Sequence, residues 1–191
     1  VRERERRSKA HPVLHFLSGL TRRLKPPMAA RLLAQTLRWR KSGRLVDFGC
    51  GDGTFLEAAA RHFEVTGVEI STEMVSRARK RLPNATILHG PVTEVALAEN
   101  VFDVVTQFSV LEHDWRPLAA LQVAHRALRP GGVTVIKVPN HASWNRHVRG
   151  KEWCGYRLPD HCNYFTPQTL AAMLAKAELH PLRGSFLDRL P

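Results

Sequence analysis

Nowhere in this chain of 191 residues does an apolar run approach the ~18 residues that a membrane-spanning helix requires. No such helix is expected. Cysteine is scarce: Cys50, Cys154 and Cys162 make no disulfide framework and suit a reducing compartment. No secretory signal pattern opens the sequence, and it starts at Val1 rather than Met, so its start need not be the native one. Together these absences point to a cytoplasmic protein. Acids are scarce in one region only. Residues 1–41 hold twelve Lys/Arg against two acids, whereas residues 42–191 hold seventeen against fifteen. The net charge of +12 thus belongs to an N-terminal arm, and the near-neutral body argues against nucleic acid as a partner.

Glycine, by contrast, is concentrated where it matters. Leu45 and Val46 run into Asp47-Phe48, and Gly49-Cys50-Gly51-Asp52-Gly53 follows before a helix-compatible run from Thr54. This is the pattern of a buried parallel strand that turns sharply into a helix with its backbone bare at the turn. A cofactor site at the carboxyl end of the first strand is the direct reading. A dinucleotide loop needs Gly-x-Gly-x-x-Gly, which would put a glycine at Thr54. Asp52 would also oppose a pyrophosphate at the helix start. A cofactor without phosphate, carrying an amine and a ribose, fits better.

The run Val46-Asp47-Phe48-Gly49-Cys50-Gly51-Asp52-Gly53 resembles the first motif of class I S-adenosylmethionine-dependent methyltransferases. Leu128-Arg129-Pro130-Gly131-Gly132 resembles a second family segment in the expected order. The resemblance implies an α/β fold: a Rossmann-like three-layer sandwich around a mostly parallel, twisted sheet. It also implies S-adenosyl-L-methionine as cofactor, with the methionyl part against Gly49, Cys50, Gly51 and Gly53. Asp47 would engage the cofactor's amine through water. Glu69, at the end of the next strand and about twenty residues beyond the first glycine, would accept from both ribose hydroxyls. The family's adenine-binding Asp is matched by Pro91, so a differently built adenine pocket is expected, with the Val92 N–H as its remaining donor.

Along the chain, apolar residues from Val13 to Leu24 recur at helical spacing and end in Lys25-Pro26-Pro27. This basic amphipathic helix would pack on the domain edge, cover the cofactor, or touch an anionic membrane surface. Residues 1–41 therefore form an arm with helices on or over the core, and residues 42–191 form the catalytic domain. Helices are expected over Met28–Lys41, Thr54–His62, from Ser71, over Pro117–Arg129 and from Thr166-Pro167. Strands are expected over Val65–Ile70, Ala85–Leu88, Phe102–Phe108 and Val133–Val138, with a last one near Leu179. The basic run Arg77, Arg79, Lys80 and Arg81 reads as a solvated helix face. The chain ends at Pro191 with room for a sixth strand but not a full seventh. The last edge strand is therefore expected to be missing or truncated, or the chain to be a fragment.

Residues 139–166 lack periodicity and are long for a strand-to-helix connection. Their mixture of aromatics, histidines and arginines reads as a substrate-covering segment. Together with Leu111-Glu112-His113, the run Pro159-x-His161-x-x-Tyr164-Phe165-Thr166 resembles the ubiquinone-biosynthesis O-methyltransferase-like small-molecule subgroup. His161, oriented by its neighbour Asp160, is the expected general base, and His113 the second catalytic candidate. In some members the Leu-Glu-His segment helps hold a divalent cation, but no metal is expected here. A zinc set of Cys154, His161 and Cys162 follows no usual spacing and would have to recruit His141.

The expected reaction is in-line displacement at the sulfonium methyl by an oxygen, ahead of nitrogen or carbon, of a small or lipid- or glycan-linked acceptor, with alignment supplied by the protein. The rivals are a methyltransferase-fold protein that only binds, and a methyltransferase of RNA or protein. The acceptor and the oligomeric state are left open.

Overall fold

The computed structural model describes residues 27–184. The basic helix expected before Pro26 lies outside them. Five strands form one sheet: β1 (Gly43–Phe48), β2 (Phe63–Glu69), β3 (Thr86–His89), β4 (Phe102–Phe108) and β5 (Leu128–Lys137). Their order is β3-β2-β1-β4-β5, and every pair is parallel. Parallel strands buried on both faces are rich in apolar residues, and the central pairs Leu45-Val46 of β1 and Val104-Val105 of β4 supply them. Leu45, Val46, Phe48, Val104 and Val105 are all fully buried.

Successive side chains point to opposite faces, so each strand feeds two cores. On one face Leu45, Val65 and Val104 pack with Phe55, Leu56 and Ala59 of α2 (Thr54–Ala59) and with Val75 and Ala78 of α3 (Thr72–Arg81). Leu32 and Leu33 of α1 (Met28–Thr36) close that side. On the other face Val46, Phe48, Val68 and Val105 meet Ala120, Leu121 and Ala124 of α4 (Pro117–Ala127). Leu174 of α6 (Pro167–Lys176) belongs to the same cluster. The result is helix, sheet, helix: the three-layer α/β arrangement the sequence implied.

Several boundaries differ from expectation for local reasons. Helix α1 stops at Thr36 rather than Lys41 because the next hydrogen bonds tighten: Arg38 donates to Gln35 O and Trp39 to Thr36 O. Helix α2 ends at Ala59, where the turn His62 N to Ala59 O releases the chain into β2. Strand β5 begins at Leu128, which pairs with Phe102, and a bulge between Phe102 and Val104 absorbs the turn at Gly131. Pro130 is tolerated because β5 is an edge strand. Beneath that bulge the buried carboxylate of Asp103 accepts from Arg44 N at 2.8 Å and pairs with Arg129.

Residues 139–166 are more ordered than their sequence suggests. Ser143 caps a short helix, α5 (Trp144–Arg149), which runs into a 3-10 turn at Gly150–Glu152. A bridge between Asn140 and Phe165, with His141 N donating to Phe165 O, pins the two ends of the segment together. Thr166 and Thr169 then form the capping box that starts α6. Beyond α6 the described residues form no strand up to residue 184, so the sheet they build has five strands. Among the described residues no helix is long and apolar enough to cross a membrane.

Candidate active site

The strand order reverses between β1 and β4, and in open parallel sheets a ligand crevice opens at such a point, outside the carboxyl ends of the strands. The turn after β1 lies there. The N–H groups of Gly49 and Cys50 both donate to Val68 O, which folds the turn back over β2. Gly49 has a φ of +69°, and a Cβ there would stand 2.6 Å from Val110 Cγ2. No other residue permits that approach between the β1 turn and the loop after β4. Gly51, with φ of +55°, has open space where its Cβ would be. Its backbone face is free for a ligand.

Glu69 closes the turn. Its Oε2 accepts from Gly51 N and its Oε1 from Ser71 N, both at 2.9 Å. Asp47 lies beneath, 3% exposed, and accepts from Thr106 Oγ1 at 2.6 Å. Burial pushes its carboxyl up to about 7, with the Thr106 hydrogen bond opposing and the Glu69 charge assisting. Cys50 turns its side chain inward, and burial raises its thiol to about 12. Only its backbone faces the crevice side of the turn, and its sulfur is inert.

Arg81 is not the solvated cation the sequence suggested. It donates from Nε to Asp52 O at 3.0 Å and from its terminal nitrogens to Asp52 Oδ2 and Glu57 Oε2, each at 2.9 Å. It clamps the glycine turn to α3 from below. The Thr54 hydroxyl, and then Arg81, hold Asp52 below the usual carboxylate range. After β3, Gly90 turns the chain with φ of +145°, and Pro91 O caps the next turn by accepting from Glu94 N. Val92 sits half-buried against the α4-side core.

At the end of β4 the chain reverses through Ser109, a non-glycine residue with φ of +58°, whose hydroxyl accepts from Lys137 Nζ at 2.8 Å. The loop that follows carries Glu112 and His113. The structure brings His113 and His161 together, with ring centroids 4.6 Å apart and nearly perpendicular planes. His161 is 4% exposed, and its Nδ1 lies 2.8 Å from Gly155 O. His113 Nδ1 lies 2.8 Å from Asp160 O. Each of these nitrogens must donate to its carbonyl, so in a neutral ring the accepting nitrogen is Nε2. The orienting group of His161 is therefore the Gly155 carbonyl. The Asp160 carboxylate turns away, 3.9 Å from Arg157.

Glu112 is the residue that sequence reasoning passed over. It is 2% exposed, its Oε2 has no hydrogen-bond partner, and one ligand atom each from Glu112, His113 and His161 lies within 4.8 Å of the other two. Its place in Leu111-Glu112-His113 was the available signal. Asn163 was missed too. Its side chain donates to Leu111 O at 3.0 Å and Asp114 O at 2.6 Å, while the N–H groups of Cys162 and Asn163 both reach Glu112 O. His141 is instead enclosed by the rings of Trp153, Tyr156 and Tyr164.

A family described as methyltransferase domain matches residues 5–182. The chain belongs to the class I S-adenosylmethionine-dependent methyltransferases.

The chain is 33% identical over 150 residues to a ubiquinone biosynthesis O-methyltransferase of Cereibacter sphaeroides. That alignment covers 73% of this chain and 61% of the relative, so the chain spans less than two thirds of the curated relative. An Archaeoglobus fulgidus S-adenosylmethionine-dependent methyltransferase superposes with a TM-score of 0.65 at 25% identity, covering 78% of this chain and 66% of the other. An amino pentose methyltransferase of Micromonospora echinaspora, solved with S-adenosylmethionine bound, gives a TM-score of 0.54 at 29% identity over 65% and 57% of the two chains. S-adenosyl-L-methionine is the cofactor of this methyltransferase.

Proposed function

We propose that the protein transfers a methyl group from S-adenosylmethionine to a hydroxyl oxygen of a small or lipid-linked acceptor. One observation carries this reading. The Glu112 carboxyl and the two histidine rings bring one acceptor-capable atom each within 4.8 Å of the other two, with both Nδ1 atoms turned to carbonyls, on a loop that touches the glycine turn through Val110 and Gly49. A hydroxyl that becomes a nucleophile must give up a proton, and such a cluster receives it.

In this reading Glu69 and the glycine turn hold the ribose and methionyl parts, and Asp47 sits under the cationic end. The Val92 N–H faces the adenine edge where Pro91 replaces an acid. An acceptor oxygen attacks the methyl carbon, forming the O–C bond and breaking the C–S bond, whose electron pair stays on sulfur. His161 Nε2 takes the hydroxyl proton, and His113 lies against its ring. Residues 139–166 cover the acceptor. Apolar side chains open to solvent on that segment and on the loop after β4, namely Trp115, Trp144, Val148 and Leu158, suit an acceptor with apolar parts. The oxygen specificity follows the ubiquinone biosynthesis O-methyltransferase relative, an enzyme named for transfer to oxygen.

Transfer of labelled methyl from S-adenosylmethionine to paired phenol and aniline acceptors tests the proposal. Transfer to the phenol that His161→Gln lowers by about 10²-fold or more supports it. Transfer confined to the amine overturns the oxygen assignment. Tight cofactor binding with no transfer to any acceptor would favour a protein that only binds.

A further inference from the structure

We infer that the acceptor carries a carboxylate or phosphate beside the methylated hydroxyl, and that Lys137, at the carboxyl end of β5, binds this anionic group. The inference rests on reading the loop after β4 as part of the methyl-transfer site.

The backbone places the cation. Lys137 is the register partner of Phe108 in the parallel pair β4 and β5, so it ends its strand beside Ser109. Two hydrogen bonds join them: Ser109 N donates to Lys137 O at 2.9 Å, and Lys137 Nζ donates to Ser109 Oγ at 2.8 Å. The ammonium is thereby fixed to the loop whose Val110 lies against Gly49 of the cofactor turn and whose next residues include Glu112 and His113.

Ser109 holds this contact at a cost. Its φ of +58° lies in the region that disfavours a side chain. Glycine would occupy it without strain but would remove the hydroxyl that anchors the ammonium. An ammonium has three donors, and Ser109 takes one of Lys137's. No carboxylate among the described residues pairs with Lys137, so its charge is open to a ligand.

The surrounding charge favours the same ligand. Residues 137–166 hold five Lys/Arg against two acids, whereas the rest of residues 42–191 holds twelve against thirteen. The positive charge of the body is thus gathered on this strand end and the covering segment, where it attracts an anion. Arg146 of α5 belongs to it, and its Nε is enclosed without an acceptor. Burial, followed by the charges of Arg146 and His147, depresses the pKa of His141, four residues beyond Lys137. A site that keeps a cation for the acceptor's anion discriminates against a neutral analogue, which leaves that cation unpaired.

The test uses the chain saturated with S-adenosylhomocysteine, the demethylated cofactor, so that no methyl transfers. The probes are 3-hydroxybenzoate, 3-hydroxyphenyl phosphate and the neutral 3-hydroxybenzamide, with binding read by chemical-shift perturbation. At least one anion should bind about tenfold more tightly than the amide, and which one does so tells carboxylate from phosphate. Lys137→Met should remove that preference while affinity for the amide and for S-adenosylmethionine stays at wild-type values. Lys176→Met, the same loss of charge on α6, should leave the preference intact. Both lysines are exposed, so neither change disturbs the core. Anions that bind no better than the amide, or a preference that Lys137→Met leaves intact, overturn the inference. Loss of S-adenosylmethionine affinity in Lys137→Met also overturns it, because Lys137 would then hold the cofactor's own carboxylate. An anion preference that Lys137→Met removes, in a chain that methylates only amines, keeps the anion site and removes the oxygen assignment. Methyl transfer to phenols that is indifferent to charge on the acceptor does the reverse.

Discussion

The carboxylate of Glu69 accepts a hydrogen bond from the Gly51 N–H at 2.9 Å, tying the end of β2 to the turn after β1. Its other oxygen accepts from Ser71 N at the start of α3. Two backbone donors on two oxygens leave no place for an amide. In Glu69→Gln one of those N–H groups would face an NH2 group instead of an acceptor. Glu69→Gln should therefore weaken S-adenosylmethionine binding almost as much as Glu69→Ala. Bonds to a charged acceptor contribute about 1.5–3 kcal/mol each, so a loss of about 10-fold to 100-fold is expected for both. Calorimetric titration reads it. A glutamine variant that binds like wild type would mean the charge and both acceptors are dispensable.

Asp47 gives the apoprotein an inverted pH response. Its carboxyl titrates at 3.8 in the ordinary case and at about 7 in the fold, so between those values the native state keeps a proton that the unfolded chain has lost. Stability then falls as pH rises through that window, by up to about 4 kcal/mol from this group. Glu69 contributes to the shift and Thr106 opposes it. Asp47→Asn keeps an oxygen for the Thr106 hydroxyl and removes the buried charge. Its melting temperature should exceed that of wild type at pH 8 and converge with it at pH 4. A cationic cofactor nearby favours the ionised form, so cofactor binding at pH 6 should release a proton in wild type and none in the variant. Titration in buffers of different ionisation enthalpy measures the release.

Gly67 links the core to the cofactor turn. A Cβ there would lie 2.6 Å from Cys50 Sγ, 2.8 Å from Leu56 Cδ1 and 3.0 Å from Ile87 Cδ1. Gly67→Ala overpacks this point and should cost about 1–3 kcal/mol in urea unfolding. Cys50 is also part of the turn, so cofactor affinity should fall with stability.

Asn163 acts on the other half of the site. Its side chain holds the carbonyls of Leu111 and Asp114, on either side of Glu112 and His113. Asn163→Ala should lower the rate of methyl transfer by about tenfold while leaving cofactor affinity near wild type, at a stability cost of about 1–2 kcal/mol. Equal losses in rate and in cofactor affinity would assign Asn163 a general structural role.

Legibility in the sequence tracked how local the cause was. Strand β4 falls on the expected residues Phe102–Phe108 because aromatic and β-branched residues at both ends and the centre mark a short strand buried on both faces. Ser71 and the Thr166-Pro167 pair mark helix starts because capping is settled within three residues. Strand β5 was misjudged by five residues, since its start depends on a bulge opposite Phe102 that no residue of β5 announces. Asp160 looked like the partner of His161 by adjacency. The true partner, Gly155 O, is a backbone carbonyl, and every residue carries one.

The sequence by itself determined the sheet's first strand, the glycine turn and the acid that closes it, because strand burial, positive φ and strand-end chemistry are each encoded by residues next to one another. Only the tertiary structure decided what the chain offers an acceptor. Glu112 and His113 meet His161 across 48 residues of intervening chain, and their convergence depends on packing residues 139–166 over the end of β4, which no local pattern specifies.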